Sequence, residues 1–362
     1  MEFTGRKGLV AGSGVSGIAA AKLLRQKEIE FVLFDANKEL DLDALRARAP
    51  VFANTDVILG ELTDADLAEI DFAVVSPGIP TDSDAINVIR GNQIPIIGEI
   101  ELAFLFSKGK IAAITGTNGK TTTTALTGEL LKSCFYDVKV VGNIGIPYTS
   151  VAAQTTDDTL IVAEISSFQL ETIQDFAPDV SAILNITPDH LDRHKTMECY
   201  IKTKESITKN QKPDSVCVLN YEDEALREFG DFAGIKVLYF SSRRVLEQGL
   251  YLDGNEICYA DGNSIHTIIH TDELNILGVH NYENVMAASA IAISFGVPVE
   301  KITEVLKHFK AVEHRIEYVA ERNGVKYYND SKGTNPDAAI KGIQAMNRPT
   351  YLIGGGYDKQ AG

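Results

Sequence analysis

Positive charge is scarce in this sequence beside negative. It sets 34 lysines and arginines against 50 acidic side chains over 362 residues, a formal net charge of −16. A surface of that sign repels polyanions, which argues against broad binding of nucleic acid or an anionic membrane. A small anion can still be held where a loop is locally positive. Cysteine is scarce too. Cys134, Cys199, Cys217 and Cys258 are scattered without metal-ligand spacing and read as reduced thiols of a cytoplasmic protein. No run of about 18 uncharged apolar residues occurs, so no transmembrane helix and no membrane insertion are expected. The opening "MEFTGRKGLVAGSG" has no apolar signal-peptide core. Internal repeats and low-complexity segments are also lacking. What remains is an ordinary globular balance, 44% hydrophobic and 23% charged. The length suits two or three domains at ~100–200 residues each.

The pattern predicts an α/β protein. "KGLVA" reads as a buried parallel strand, followed by "GSGVSG" (12–17), a helical stretch and the strand "FVLFD" ending at Asp35. Strand, Gly-x-Gly-x-x-Gly, helix, strand and acid make a dinucleotide-type fold in miniature. Another apolar strand within 71–80 ends in a Ser-Pro-Gly turn. A boundary is expected near 95–109. Alternation then restarts, with strands "KIAAIT", "TLIVAEIS" (159–166), "SAILNIT" (181–187) and "SVCVLN", and helices after Lys120 and over about 195–210. Asp-Gly and Gly-Asn turns between 250 and 270 predict antiparallel hairpins. A helix is expected over 281–296, a hairpin around Asn323–Gly324, a helix over about 335–346 and a strand at "TYLIGGG".

"AITGTNGKTTTT" (113–124) carries the chemistry. Two residues, Thr117 and Asn118, separate its glycines, where the full phosphate-loop pattern has four. Gly116 and Gly119 allow a tight turn with exposed N–H groups, and the helix that follows offers its positive end. Lys120 supplies a charge for β- and γ-phosphates, and the Thr121 hydroxyl a ligand for Mg²⁺. Glu164 ends a strand, where ligands bind in open α/β sheets. It reads equally as a carboxylate near a cation or as a cap on the next helix. Asp189 and His190 follow another strand, and Lys204 lies on a helix among Lys202 and Lys209. Taken singly, that histidine reads as structural and that lysine as solvated.

Taken in order, the Gly-x-x-Gly-Lys-Thr loop, Glu164 in "EISSFQLE", "NITPDHLDRH", Lys204, "GVHNYEN", "HR" (314–315) and "NDSKGTN" (329–335) resemble the ATP-dependent Mur ligase family of peptidoglycan synthesis. The resemblance covers essentially the whole chain. Asn118, "SSFQLE" and "DSKGTN" are similar to the branch that adds D-glutamate to UDP-N-acetylmuramoyl-L-alanine through an acyl phosphate. It implies three domains: 1–98, Rossmann-like, for the uridine substrate; 99–311, central and ATP-binding; and 312–362, the start of an amino-acid-binding domain. By the same resemblance, Gly116, Thr117, Asn118, Gly119, Lys120, Thr121 and Thr122 hold the ATP phosphates. Asn281 and Asn284 face the adenine, and Arg315 and Asp330 close over the nucleotide. Two Mg²⁺ ions are implied, one on Thr121 and Glu164, the other on His190 and a carbamylated Lys204.

The resemblance assigns Lys332, Thr334 and Lys359 to D-glutamate or phosphate. Gly14, Val15, Ser16 and Gly17 would meet the UDP diphosphate. Asp35 and Asn37 would lie near the uracil, and Ser76, Pro77, Gly78 and Asn143 along the path to the muramoyl group. A cytoplasmic monomer is expected. Family members continue past Gly362, so the chain is expected to be carboxy-terminally truncated and weakly active or inactive. Two other readings stand beside this one. A folylpolyglutamate synthase-like ligase also adds glutamate, but normally starts near the ATP loop. An NAD-binding regulatory protein would use "GSGVSG" and leave Glu164, His190 and Lys204 without a role.

Overall fold

The apolar runs become strands. The computed structural model describes residues 3–143 and 145–356. Its contacts divide the chain into two units, Met1–Lys110 with Val141–Ala177, and Ile111–Val140 with Pro178–Gly362.

The first unit opens with β1 (Lys7–Ala11), β2 (Glu30–Asp35), β3 (Val57–Leu59), β4 (Phe72–Val75) and β5 (Ile96–Gly98). They form one parallel sheet in the order β3-β2-β1-β4-β5. Strands covered on both faces need continuous apolar runs rather than alternation. Accordingly Leu9, Val10, Leu33, Phe34, Ala73 and Val74 are all buried. Helix Val15–Gln26 links β1 to β2 and buries a small-residue stretch, Ala19, Ala20 and Ala21. Helix Glu99–Phe106 follows β5 directly and buries two carboxylates. Glu99 accepts from the Thr149 backbone N–H and hydroxyl at 2.6 and 2.7 Å. Burial still raises its pKa, against the pull of those bonds. Glu101 accepts from the backbone N–H groups of Gln174, Asp175 and Phe176 at 2.8, 2.8 and 3.1 Å. A buried acid is tolerable only when its oxygens are bonded in this way.

Next in the chain come β6 (Lys110–Thr115), β7 (Val138–Gly142), β8 (Leu160–Glu164), β9 (Val180–Ile183), β10 (Val216–Asn220), β11 (Lys236–Ser241), β12 (Gln248–Asp253), β13 (Glu256–Asp261) and β14 (Ile265–His270). β8 lies in the first unit. In the second unit the order runs β14-β13-β12-β11-β10-β9-β6. Pairing is parallel from β6 to β12 and antiparallel from β12 to β14, where the hairpins were expected. Helix Val279–Ser294 packs into the core with ten buried residues that include four alanines. The second unit also holds the hairpin of β15 (Glu317–Arg322) and β16 (Val325–Asn329), and helix Pro336–Gln344. Asn323 and Gly324 both take positive φ (53° and 79°), the geometry of a two-residue hairpin turn.

Two expectations need correction. "TYLIGGG" is not a strand: Thr350–Gly356 is irregular, with Tyr351 98% and Ile353 97% exposed. A strand exists by pairing, and among the described residues none pairs there. The strand expected over 181–187 ends at Ile183, because the next residues turn to hold a loop described below. Among the described residues, no helix is long and apolar enough to cross a membrane.

Candidate functional site

β6 carries the chain to Gly116, which has φ +150°. Gly119 has φ +86°, and a Cβ there would stand 2.2 Å from Asn284 Oδ1, so only glycine fits. Helix Lys120–Lys132 starts at once. Gly119, its N-cap, has no side chain to cover the first N–H groups. Such an end is a ready anion site. Two lysines converge beside it. Lys120 Nζ donates to the carbonyls of Gly116 (2.9 Å) and Thr117 (2.8 Å). Lys204 Nζ donates to Gly116 O at 2.8 Å and lies 4.6 Å from the centre of the Tyr200 ring. Lys204 is buried at 1% exposure. That burial, then the Lys120 charge, holds its pKa well below the usual lysine range, with Asp189 opposing. Burial likewise pushes the Tyr200 phenol up to about 12.

The loop is clamped by the chain leaving β9. Asn118 N donates to Asn185 Oδ1 at 2.8 Å, and Asn185 Nδ2 donates back to Asn118 O at 3.0 Å. Thr117 N donates to Asn185 O at 2.9 Å. The Thr117 hydroxyl donates to Thr187 O (3.1 Å), accepts from Thr187 N (3.0 Å) and meets Tyr200 OH at 3.2 Å. The Asn118 side chain faces the other way. Its Nδ2 donates to Asp337 Oδ2 at 2.7 Å, and its Oδ1 accepts from Asn335 Nδ2 at 3.1 Å. His190 follows with φ 53° and caps the short helix Leu191–His194. Its Nε2 lies 3.7 Å from Asp189 Oδ2.

A cavity of about 550 Å³, counting its open mouth, lies against this loop. Asn118, Gly119 and Thr122 line it on the loop side, and Arg315 and Asp330 also line it. Arg315 Nη2 is 3.4 Å from Thr121 Oγ1, and its buried Nε has no hydrogen-bond partner among the described residues. Asp330 accepts from Ile316 N at 3.1 Å. Burial raises its pKa, against that bond and the Arg315 charge. Helix Val279–Ser294 contributes His280, Asn281, Glu283 and Asn284. Burial, then the charge of Lys341, lowers His280 to about 4, with Asp337 opposing and Arg315 adding to the effect.

The structure thus gathers Gly116 to Thr122, Lys204, Asn281, Asn284, Arg315 and Asp330 in the second unit. Lys332 and Thr334 are exposed in the turn before helix Pro336–Gln344, where Thr334 N donates to Lys332 O at 2.9 Å. Lys359 lies outside the described residues. Asn185, Asn335 and Asp337 were not anticipated from sequence, nor were the cavity residues His280, Glu283 and Lys341. His280 and Glu283 share a helix face with the expected asparagines, and that spacing was the available signal.

In the first unit, Gly12 and Gly17 fix the turn after β1. A Cβ on Gly17 would fall 1.8 Å from Gly12 O. Gly14, the cap of helix Val15–Gln26, and Val15 in its first turn are exposed, and Ser16 beside them is half-buried. Asp35 accepts from Ser13 N (2.9 Å), Ser13 Oγ (2.6 Å) and Asn37 N (3.0 Å). Burial opposes its ionisation, but these bonds win and its pKa is lowered. Asn37 Oδ1 accepts from Glu39 N at 3.0 Å. Ser76 Oγ is buried and has no hydrogen-bond partner among the described residues, and the Ser76–Gly78 turn follows β4. Glu164 Oε1 accepts from Asn143 Nδ2 at 2.8 Å, while its buried Oε2 has no hydrogen-bond partner among the described residues.

A glycine turn and lysine at the start of a helix, at the end of a parallel strand, define an α/β phosphate-binding protein. Comparison with known proteins narrows the class. The Mur ligase MurD-like N-terminal domain matches residues 6–98, and the Mur ligase middle domain matches residues 114–292. A UDP-N-acetylmuramoylalanine–D-glutamate ligase of Lachnoclostridium phytofermentans is 55% identical over 361 residues, covering 100% of this chain and 80% of that protein. The chain belongs to the Mur ligase family. Among solved structures, the UDP-N-acetylmuramoylalanyl-D-glutamyl-2,6-diaminopimelate–D-alanyl-D-alanyl ligase of Acinetobacter baumannii is similar in fold. It has a TM-score of 0.58 at 17% identity and covers 93% of this chain and 71% of its own. The MurF ligase of Thermotoga maritima, solved in complex with ADP, has a TM-score of 0.54 at 21% identity and covers 78% and 67%.

Proposed function

We propose that this chain is an ATP-dependent amide-bond-forming ligase that joins D-glutamate to UDP-N-acetylmuramoyl-L-alanine in peptidoglycan synthesis. The carrying observation is the Lys120 amine, held on the carbonyls of Gly116 and Thr117 at 2.9 and 2.8 Å beside a helix N-terminus. The reaction needs such a site because a carboxylate must approach a triphosphate, and fixed positive groups offset their repulsion. The alanine carboxylate attacks the γ-phosphorus, and the bond to the β–γ bridging oxygen breaks to release ADP. The D-glutamate amine then attacks the acyl carbon. The tetrahedral intermediate expels phosphate, and the amine loses its proton.

Residues 116–122 hold the phosphates, with Lys120 on the γ side and Arg315 and Asp330 over the nucleotide. Thr121 and Glu164 are each proposed as Mg²⁺ ligands. The orphaned, buried Glu164 Oε2 fits that role. Among the described residues no three acids, histidines or cysteines form a ready cage. Mg²⁺ suits such a site, since it keeps water and phosphate oxygens as ligands. His190 and Lys204 are proposed for a second ion. An imidazole and an amine are a poor oxygen-free set for magnesium. A carbamate on Lys204 makes the set fit. Burial favours the neutral amine, which adds to CO₂ with loss of one proton. When bound, magnesium supplies charge neutralisation on the phosphates. A carbamate signal in ¹³C NMR with labelled bicarbonate, lost in Lys204→Ala, tests the modification.

The first unit takes the uridine nucleotide, with Gly14, Val15, Ser16 and Gly17 at the diphosphate. Asp35 and Asn37 lie near the uracil, and Ser76, Pro77, Gly78 and Asn143 face the sugar path. The domain division proposed is 1–98, 99–311 and 312–362. Lys332, Thr334 and Lys359 are assigned to D-glutamate or phosphate, in a cytoplasmic monomer. Calorimetric titration with UDP-N-acetylmuramoyl-L-alanine tests the whole reading, with the alanine-free nucleotide and NADH as controls. Preference for the alanine-bearing ligand is expected. Binding of NADH instead overturns it.

A further inference from the structure

The asparagines facing the cavity are largely occupied by one another. Asn281 Nδ2 donates to Leu277 O at 2.7 Å, and Asn284 Nδ2 donates to Asn281 Oδ1 at 3.1 Å. Asn284 Oδ1 takes the Thr123 hydroxyl at 3.3 Å. A side-chain amide has two N–H donors and two lone pairs, so each keeps at most one of each for a ligand. Glu283, between them in sequence, lines the same cavity. Its Oε1 accepts from Ser242 Oγ at 2.6 Å, which fixes the carboxylate, and among the described residues Oε2 accepts no hydrogen bond. Lys341, a cation that also lines the cavity, is already paired with Asp337 at 3.0 Å. Glu283 is half-buried, so its carboxylate is partly shielded from water.

A carboxylate repels a triphosphate and attracts N–H and O–H donors. Outside its phosphates, ATP offers such donors in two places, the exocyclic amine of the base and the ribose hydroxyls. We propose that Glu283 is a specificity-determining residue that accepts a hydrogen bond from a donor on the nucleoside of ATP. This rests on the nucleotide reading of the cavity. Bonds to an ionised acceptor are about twice as strong as neutral ones, and an unpaired donor left in a pocket is costly. Discrimination should therefore exceed what the asparagines supply.

Calorimetric titration of the full chain with ATP, inosine triphosphate, 2′-deoxy-ATP and 3′-deoxy-ATP tests the proposal. The inosine analogue tests the amine, and the deoxy analogues test the hydroxyls. The wild-type protein should bind at least one analogue about tenfold more weakly than ATP. Glu283→Ala should bind ATP as weakly as the wild type binds that analogue, and should no longer tell the two apart. Glu283→Gln, which keeps a carbonyl acceptor, should recover part of the preference. The proposal is overturned if Glu283→Ala, or Glu283→Gln where the alanine variant does not fold, retains the full wild-type preference. It is equally overturned if the wild type binds all four alike. A wild type that binds the uridine substrate but no nucleoside triphosphate refutes the nucleotide reading itself, and the proposal with it.

Discussion

Asn185→Ala should loosen the phosphate loop without touching the phosphates. Asn185 holds Asn118 as a peptide would, one bond in and one bond out, at 2.8 and 3.0 Å. Truncation leaves the Asn118 N–H and C=O without those partners. Each such bond contributes about 0.5–1.5 kcal/mol net, and a stranded buried group costs about 1–3 kcal/mol. Asn118 is only half-buried, so water recovers part of the loss. A penalty of about 1–2 kcal/mol in loop order follows, roughly a 5- to 30-fold loss of ATP affinity at 1.4 kcal/mol per decade. Calorimetry with ATP measures it, and titration with the uridine substrate serves as the control, since the site proposed for it belongs to the first unit. Asn185→Asp sharpens the test. The aspartate is isosteric and keeps the acceptor for Asn118 N, but it turns an anionic oxygen toward Asn118 O beside the anion site. It should bind ATP more weakly than the alanine variant. If Asn185 were mere packing, the aspartate would be the milder change. A folded Asn185→Asp with near wild-type ATP affinity refutes the clamp.

Gly119→Ala forces a side chain into φ +86° and against Asn284 Oδ1 at 2.2 Å. The left-handed conformation alone costs about 1–2 kcal/mol, so ATP affinity should fall at least about tenfold by calorimetry. In the first unit, Gly17→Ala would drive a Cβ to 1.8 Å from Gly12 O. Overpacking of about 1–3 kcal/mol should lower the urea midpoint and weaken uridine-substrate binding, and an unchanged affinity would contradict the placement of the diphosphate at this turn. His280 has its pKa lowered from 6.5 to about 4. Between those values the unfolded chain binds more protons than the folded one, so stability is full above about pH 6.5 and declines as the pH falls toward 4. Allowing for solvent screening, roughly 1–2 kcal/mol should be lost across that window, and His280→Asn should flatten the urea midpoint there by a comparable amount.

Much of the fold was legible because the physics is local. Short β-branched and aromatic apolar runs such as "FVLF" and "LIVA" suit strands covered on both faces, and Asn323–Gly324 suits a tight hairpin. The segment Thr350–Gly356 shows the limit of such reading. Its residues suit a strand, but among the described residues no neighbour offers a ladder.

The site divides in the same way. Gly116, Gly119 and Lys120 are readable in one short stretch because backbone geometry and a helix start dictate them. Lys204 is not, since nothing on its own helix says that it reaches Gly116, 88 positions earlier. The same holds for Asn185, 67 positions from Asn118. Spacing identifies which groups have the right chemistry, but not whether they are free to use it. Asn281 and Asn284 have the right amides, yet the structure shows them bonded to each other and to Thr123. Glu283, unremarkable in sequence, lines the cavity, and among the described residues Ser242 takes only one of its two oxygens. Availability is set by three-dimensional pairing, so the residue that reads the nucleoside is sought among the unspent acceptors and not among the most familiar letters of the motif.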